Sequence, residues 1–202
     1  MLIKICGVTT PGDAAAAAAA GAGAVGINLW PGSKRYVAPD AARAVAAAIP
    51  PGVLRVGVFV GAPADDVQRR MDELALDRVQ LHGDETAADF ASFDQARLIR
   101  VVRVRDAASF ASEAGWWPAL WMYDADVPGY GGGGVVPPWP LIAARARRPF
   151  LLAGGLTPEN VAAAIAATRP DGVDVASGVE ARPGVKDPAK LVRFVAAVRG
   201  AI

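Results

Sequence analysis

Cys6 is the one cysteine of this 202-residue chain and His82 the one histidine. In L-I-K-I-C-G, Lys4 and Cys6 stand two apart, so an extended backbone puts them on one face and Ile3 and Ile5 on the other. An ammonium beside a thiol favours the thiolate, which makes Cys6 a candidate base or nucleophile. Asp124 ends the run L-W-M-Y-D on the face of Leu120 and Met122. A carboxyl fixed there is a candidate proton donor; Asp126 competes for that role but belongs to the following loop. Gly154-Gly155, just ahead of Thr157-Pro158, and Ser177-Gly178 are turns whose backbone N–H groups can approach an anion closely. Arg35 and His82 each follow a strand-like run. His82, in V-Q-L-H-G, is either a hydrogen-bonded rim residue or a substrate contact. Asp174 has the parity to face Lys4 from the last strand, and a buried ammonium needs such a partner.

The elements that must hold these groups follow from the apolar period, which switches repeatedly along the chain. Strands are expected at Leu2–Val8, Ala24–Trp30, Leu54–Val60, Val79–His82, Leu98–Val104, Leu120–Asp124, Phe150–Ala153 and Val173–Ala176. Helices are expected at Pro11–Ala22, Pro39–Ile49, Ala64–Ala75, Thr86–Phe93, Ala107–Ala114, Pro140–Arg147, Pro158–Ala167 and Pro188–Arg199. Eight strand–helix units of about 25 residues close a (β/α)₈ TIM barrel, one compact domain over residues 1–202. An open doubly wound sheet is disfavoured: no G-x-G-x-x-G follows the first strand, and the units run from a strand to a helix as a full set should. In a barrel, chemistry gathers at the C-terminal ends of the strands, and the loops after strands seven and eight hold phosphate. The run Gly131–Gly134, directly after Asp124, is either a lid or a plain linker.

Composition narrows the function further. Twenty-one Lys and Arg against 20 Asp and Glu leave a formal charge of +1, so no global basic field points to nucleic acid. A single Cys permits no internal disulfide, and a single His removes every His-rich metal site. The apolar Ala14–Ala20 run is helix-forming alanine rather than a signal sequence or a membrane span, so a cytoplasmic protein is expected.

Several segments together resemble phosphoribosylanthranilate isomerase. They are K-I-C-G-V-T at Lys4–Thr9, P-G-S-K-R-Y-V at Pro31–Val37, R-V-G-V-F-V at Arg55–Val60 and V-Q-L-H-G-D-E at Val79–Glu85. P-G-Y-G-G-G-G at Pro128–Gly134, L-A-G-G-L-T-P-E-N-V at Leu152–Val161, and V-D-V-A-S-G-V-E with P-G-V-K-D in Val173–Asp187 continue the series. They span nearly the whole chain in order. The resemblance implies a (β/α)₈ barrel that converts N-(5-phosphoribosyl)anthranilate to 1-(2-carboxyphenylamino)-1-deoxyribulose 5-phosphate, an Amadori rearrangement of tryptophan biosynthesis. It implies Cys6 as general base, Asp124 as general acid and Arg35 on the anthranilate carboxylate. The glycines after strands seven and eight would hold the phosphate, with His82 among the substrate-binding residues. No cofactor or metal is implied, the partner is a small phosphorylated molecule, and the protein is a monomer or homodimer.

This chain departs from the family pattern in three places. Its second strand reads G-I-N-L-W without the usual phenylalanines, its glycine run continues G-G-G-G-V-V-P-P-W, and Ala176 stands where Ser or Asn is common. A silent paralogue that binds an anthranilate-like ligand is the competing class. A metal-dependent pentose-phosphate epimerase would need more histidines. A bifunctional isomerase of histidine and tryptophan synthesis would carry Asp at the strand-one position.

Overall fold

A computed structural model describes residues 1–127 and 134–202. The glycine-run expectation falls mainly on residues 128–133, outside the described residues. Eight parallel strands close in sequence order into a barrel. They are β1 (Leu2–Ile5), β2 (Ala24–Asn28), β3 (Leu54–Phe59), β4 (Arg78–Leu81), β5 (Leu98–Val104), β6 (Leu120–Ala125), β7 (Phe150–Leu152) and β8 (Gly172–Val175). The expected α1 (Pro11–Ala20), α2 (Pro39–Ala47) and α3 (Ala64–Glu73) follow the first three strands. The last three helices are α4 (Trp139–Arg145), α5 (Val161–Thr168) and α6 (Pro188–Arg199). A short antiparallel hairpin, β9 (Glu180–Arg182) and β10 (Val185–Lys186), lies between β8 and α6. Among the described residues no helix is long and apolar enough to cross a membrane.

Strand parity sorts the apolar side chains into two cores. Ala24, Val56, Ile99, Val101, Met122 and Leu151 fill the barrel, while Ile3, Ile5, Val25, Ile27, Tyr123 and Phe150 pack outward under the helices. This is the alternation expected of a parallel sheet covered on both faces. Caps mark the helix starts: Thr10 accepts from the N–H of Asp13, and Asp187 accepts from those of Ala189 and Lys190.

Two expected helices differ. Ala107–Ala114 winds instead as a 3-10 helix, Ala107–Glu113, capped by Asp106. The segment at Thr86–Phe93 forms turns rather than a helix. There, Thr86 and Asp89 satisfy each other's backbone and side chain, the local bonding that competes with helical hydrogen bonds. Phe90, Phe93 and Trp116 cover the gap, and buried Arg100 donates to the carbonyls of Leu81, Gly83 and Glu85 and to the Glu85 carboxylate.

Candidate active site

The C-terminal rim of the barrel gathers most of the chemistry-bearing residues. Strand β1 stops at Ile5, and Cys6 follows it, 8% exposed. Lys4 below it is fully buried and bonds Asp174 of β8 at 2.7 Å, across the register pair Lys4↔Asp174. The expected partnership is present. Gly26 of β2 makes the room: a Cβ there would stand 2.8 Å from Cys6 Sγ and 3.1 Å from Lys4 Nζ. Burial works to lower the Lys4 pKa, but the charges of Asp174 and Cys6 outweigh it and hold it at about 12.

Lys4 does not make Cys6 a thiolate at rest, contrary to the sequence expectation. Burial pushes the thiol up, and the charge of Asp174 pushes the same way; the pull of Lys4 and Lys186 offsets only part of this. The ammonium's field is shared with its carboxylate partner, so its effect on the sulfur is diluted.

Asp124 lies inside β6 with its carboxyl turned into the barrel, 8% exposed. Oδ1 accepts the N–H of Ala125 at 2.7 Å. Oδ2 faces His82 Nε2 at 3.4 Å, a separation long for a hydrogen bond. Burial raises the carboxyl to about 7, reinforced by Asp174 and opposed by the Ala125 N–H and Lys4. Asp126, the competitor, is exposed and 3.8 Å from Arg105. His82 is buried and pushed down to about 3 by that burial, with Lys4, Arg103 and Arg100 adding repulsion, so its ring is neutral. Gln80, one pleat below, faces His82 Nδ1 at 3.1 Å. With that amide donating, the ring carries its proton on Nε2, toward Asp124. Gln80 was missed in the sequence, although its parity with His82 was legible there.

A cavity opens at the ends of β6, β7 and β8, lined by Asp124, Gly134, Val135, Gly154, Gly155, Asp174 and Ser177 among others. Gly154 and Gly155 have φ of +87° and +59°, a conformation costly for other residues. A Cβ on Gly154 would lie 2.9 Å from Asp124 Oδ1, and one on Gly155 2.7 Å from the Gly134 carbonyl. The N–H groups of Gly154 and Gly155 donate to no other described residue. Gly178 stands back from the cavity, where a Cβ would meet the Leu156 carbonyl at 1.9 Å; it locks the loop after β8 onto the loop after β7.

Arg35 arrives from the loop between β2 and α2. Its side chain crosses Gly7, where a Cβ would fall 2.2 Å from Arg35 Cδ. Gly7 also has φ +69°, so both space and backbone demand glycine beside Cys6. The guanidinium is forked by Glu180, with Nε donating at 2.8 Å and Nη2 at 2.7 Å. Glu180 and Gly7 were not singled out in the sequence, though both sit in the segments quoted above. Among the described residues no cluster of three His, Cys, Asp or Glu is placed to hold a metal ion.

The rim brings together the buried acid Asp124, the thiol of Cys6, Arg35 and a glycine-lined cavity, and the chain as a whole is similar to one known family. Residues 3–197 match the family described as N-(5'phosphoribosyl)anthranilate (PRA) isomerase. The N-(5'-phosphoribosyl)anthranilate isomerase of Magnetococcus marinus is 46% identical over 201 residues, covering 98% of this chain and 95% of its own length. The crystal structure of phosphoribosyl anthranilate isomerase from Thermotoga maritima superposes with a TM-score of 0.92 at 37% identity, covering 99% of both chains. A crystal structure of phosphoribosyl anthranilate isomerase in complex with reduced 1-(o-carboxyphenylamino)-1-deoxyribulose 5-phosphate gives a TM-score of 0.87 at 35% identity, again over 99% of both chains. Barrel, rim and likeness over almost every residue agree: the chain belongs to the N-(5'-phosphoribosyl)anthranilate isomerase family.

Proposed function

We propose that this chain isomerises N-(5-phosphoribosyl)anthranilate to 1-(2-carboxyphenylamino)-1-deoxyribulose 5-phosphate in the cytoplasm, with Asp124 as general acid and Cys6 as general base. The observation that carries this assignment is a rim carboxyl whose pKa is about 7 on the same barrel mouth as the lone thiol. Asp124 gives its proton to the ribose ring oxygen as the C1–O bond breaks, and the anthranilate nitrogen forms the imine. The imine acidifies the C2 proton, which the Cys6 thiolate removes, and the electron pair flows through C1 to nitrogen. The enolamine then gains a proton at C1 and loses one from the C2 hydroxyl, leaving the ketone. Asp124 has lost one proton and Cys6 has gained one, so a transfer through solvent resets the pair.

The remaining residues bind. Arg35 takes the aromatic carboxylate, as its guanidinium geometry suits. The N–H groups around Gly154, Gly155 and Ser177 take the phosphate, while Gly178 packs the loop that carries Ser177. His82, neutral and backed by Gln80, offers its Nε2–H to the substrate beside Asp124.

Turnover is followed as loss of fluorescence of freshly generated phosphoribosylanthranilate by purified protein. The expected result is isomerisation that survives a chelator, with Cys6→Ala and Asp124→Ala each slower by ~100-fold or more. Binding of the substrate without turnover by the wild-type chain would make it a sensor and end this reading.

A further inference from the structure

Glu180 and Lys186 take no part in the proton transfers, yet both are buried and ionisable at the edge of the site. They stand at the two arms of the β9–β10 hairpin. Four donors converge on Glu180: Arg35 Nε and Nη2, Lys186 Nζ at 3.0 Å and the Gly184 N–H at 3.3 Å. Burial opposes its ionisation, but the bonds and charges of Arg35 and Lys186 outweigh that and keep it a carboxylate. Lys186 spends its remaining donors on two carbonyls, that of Cys6 at 2.6 Å and that of Ala176 at 3.1 Å. All three of its N–H bonds are thereby used. The hairpin is further tied to the loop after β1 by Thr9, whose hydroxyl donates to the Gly184 carbonyl.

The geometry of the fork matters. A guanidinium offers a side edge, Nε with Nη2, and an end edge, Nη1 with Nη2. Glu180 occupies the side edge. Nη1 has no hydrogen-bond partner among the described residues, so the end edge stays open for a second carboxylate. Gly7 lets the arginine lie flat across the backbone next to Cys6.

We infer that Glu180 and Lys186 are positioning residues for recognition of the substrate's aromatic carboxylate. Glu180 clamps Arg35 so that its end edge faces the substrate, and Lys186 fastens Glu180 to the backbone of Cys6, so that carboxylate grip and base form one rigid unit. This rests on Arg35 being the group that takes the carboxylate.

The test compares Glu180→Gln, Glu180→Asp, Arg35→Ala and the double variant Glu180→Gln/Arg35→Ala. Glu180→Gln is expected to raise KM about tenfold, the loss of one charge-assisted hydrogen bond, with kcat changed less than about threefold. Glu180→Asp, which keeps the charge, should recover part of that loss. In the Arg35→Ala background, Glu180→Gln should add less than about twofold, because the group it positions is gone. Calorimetric titration with the reduced product analogue and with its counterpart lacking the ring carboxylate gives a second readout. Glu180→Gln should weaken the first about tenfold and leave the second unchanged. Equal weakening of both analogues, full multiplication of the two single losses, or a wild-type KM for both Glu180 variants overturns the inference. Should Glu180→Gln not fold, Glu180→Asp takes its place in both titrations, with a smaller weakening expected for the carboxylate-bearing analogue alone and equal weakening of both overturning the inference. A wild-type KM and kcat in Arg35→Ala would instead remove the reading of Arg35, and the inference with it.

Discussion

Asp124 must carry a proton to work and Cys6 must lack one, but their surroundings favour the reverse. The carboxyl titrates near 7, and the thiol lies above its ordinary value. The competent form is then the minor tautomer of the singly protonated pair. Its fraction climbs as pH rises to about 7, stays level, and falls once the thiol itself ionises. We expect kcat/KM to rise about tenfold per pH unit below 7 and decline only above the usual thiol range. The ascending limb then reports the acid rather than the base. Thiolate ultraviolet absorption, taken as the difference between the protein and Cys6→Ala, is the check: it should be flat through pH 7. A thiolate appearing near 7 would assign that limb to Cys6 instead. These two residues were legible in the sequence because strand parity alone turns them inward. The direction of the Cys6 shift was not, because neither the depth of burial nor the sharing of Lys4's charge with Asp174 is a property of local sequence.

At the scale of elements, the turn after β1 is constrained in both backbone and space. Gly7 has a positive φ and lies under Arg35. Gly7→Ala should cost about 1–2 kcal/mol from backbone strain and displace the arginine, raising KM about tenfold with a smaller change in kcat. Urea denaturation and steady-state kinetics measure the two parts separately; an unchanged KM would mean that Arg35 does not depend on this turn. Strand and helix positions were largely legible, since capping residues such as Thr10 and Asp187 and the alternating strand pattern act locally. Thr86–Phe93 misled for an equally local reason. Its Thr-Asp pair satisfies itself in turns, and its helix-like apolar spacing serves a cluster with Trp116 instead. Glu180 escaped notice because its partner Arg35 is 145 positions away in the chain.

At the scale of the molecule, closure of the barrel joins β1 to β8, and the buried Lys4–Asp174 ion pair spans that seam. Removing a single partner leaves a charge stranded in the interior. Asp174→Ala should destabilise the fold by about 3–5 kcal/mol, lowering Tm by roughly 10 °C in differential scanning calorimetry. A drop within a degree or two would mean that Lys4 finds water or another carboxylate. The closed eight-strand architecture was legible from the count of alternating units, and the seam pair from the parity of Lys4 and Asp174; the register sets the two directly opposite each other.

That seam also bears on biosynthesis. The first strand leaves the ribosome with Lys4 already in place, but its counter-charge is made 170 residues later. Until then the opening segment has no low-energy berth, and its lysine resists being dehydrated alone. A nascent chain therefore cannot settle its amino-terminal strand early. Premature termination before Asp174 would leave a product without its final clasp, marked for proteolysis rather than a partly working enzyme.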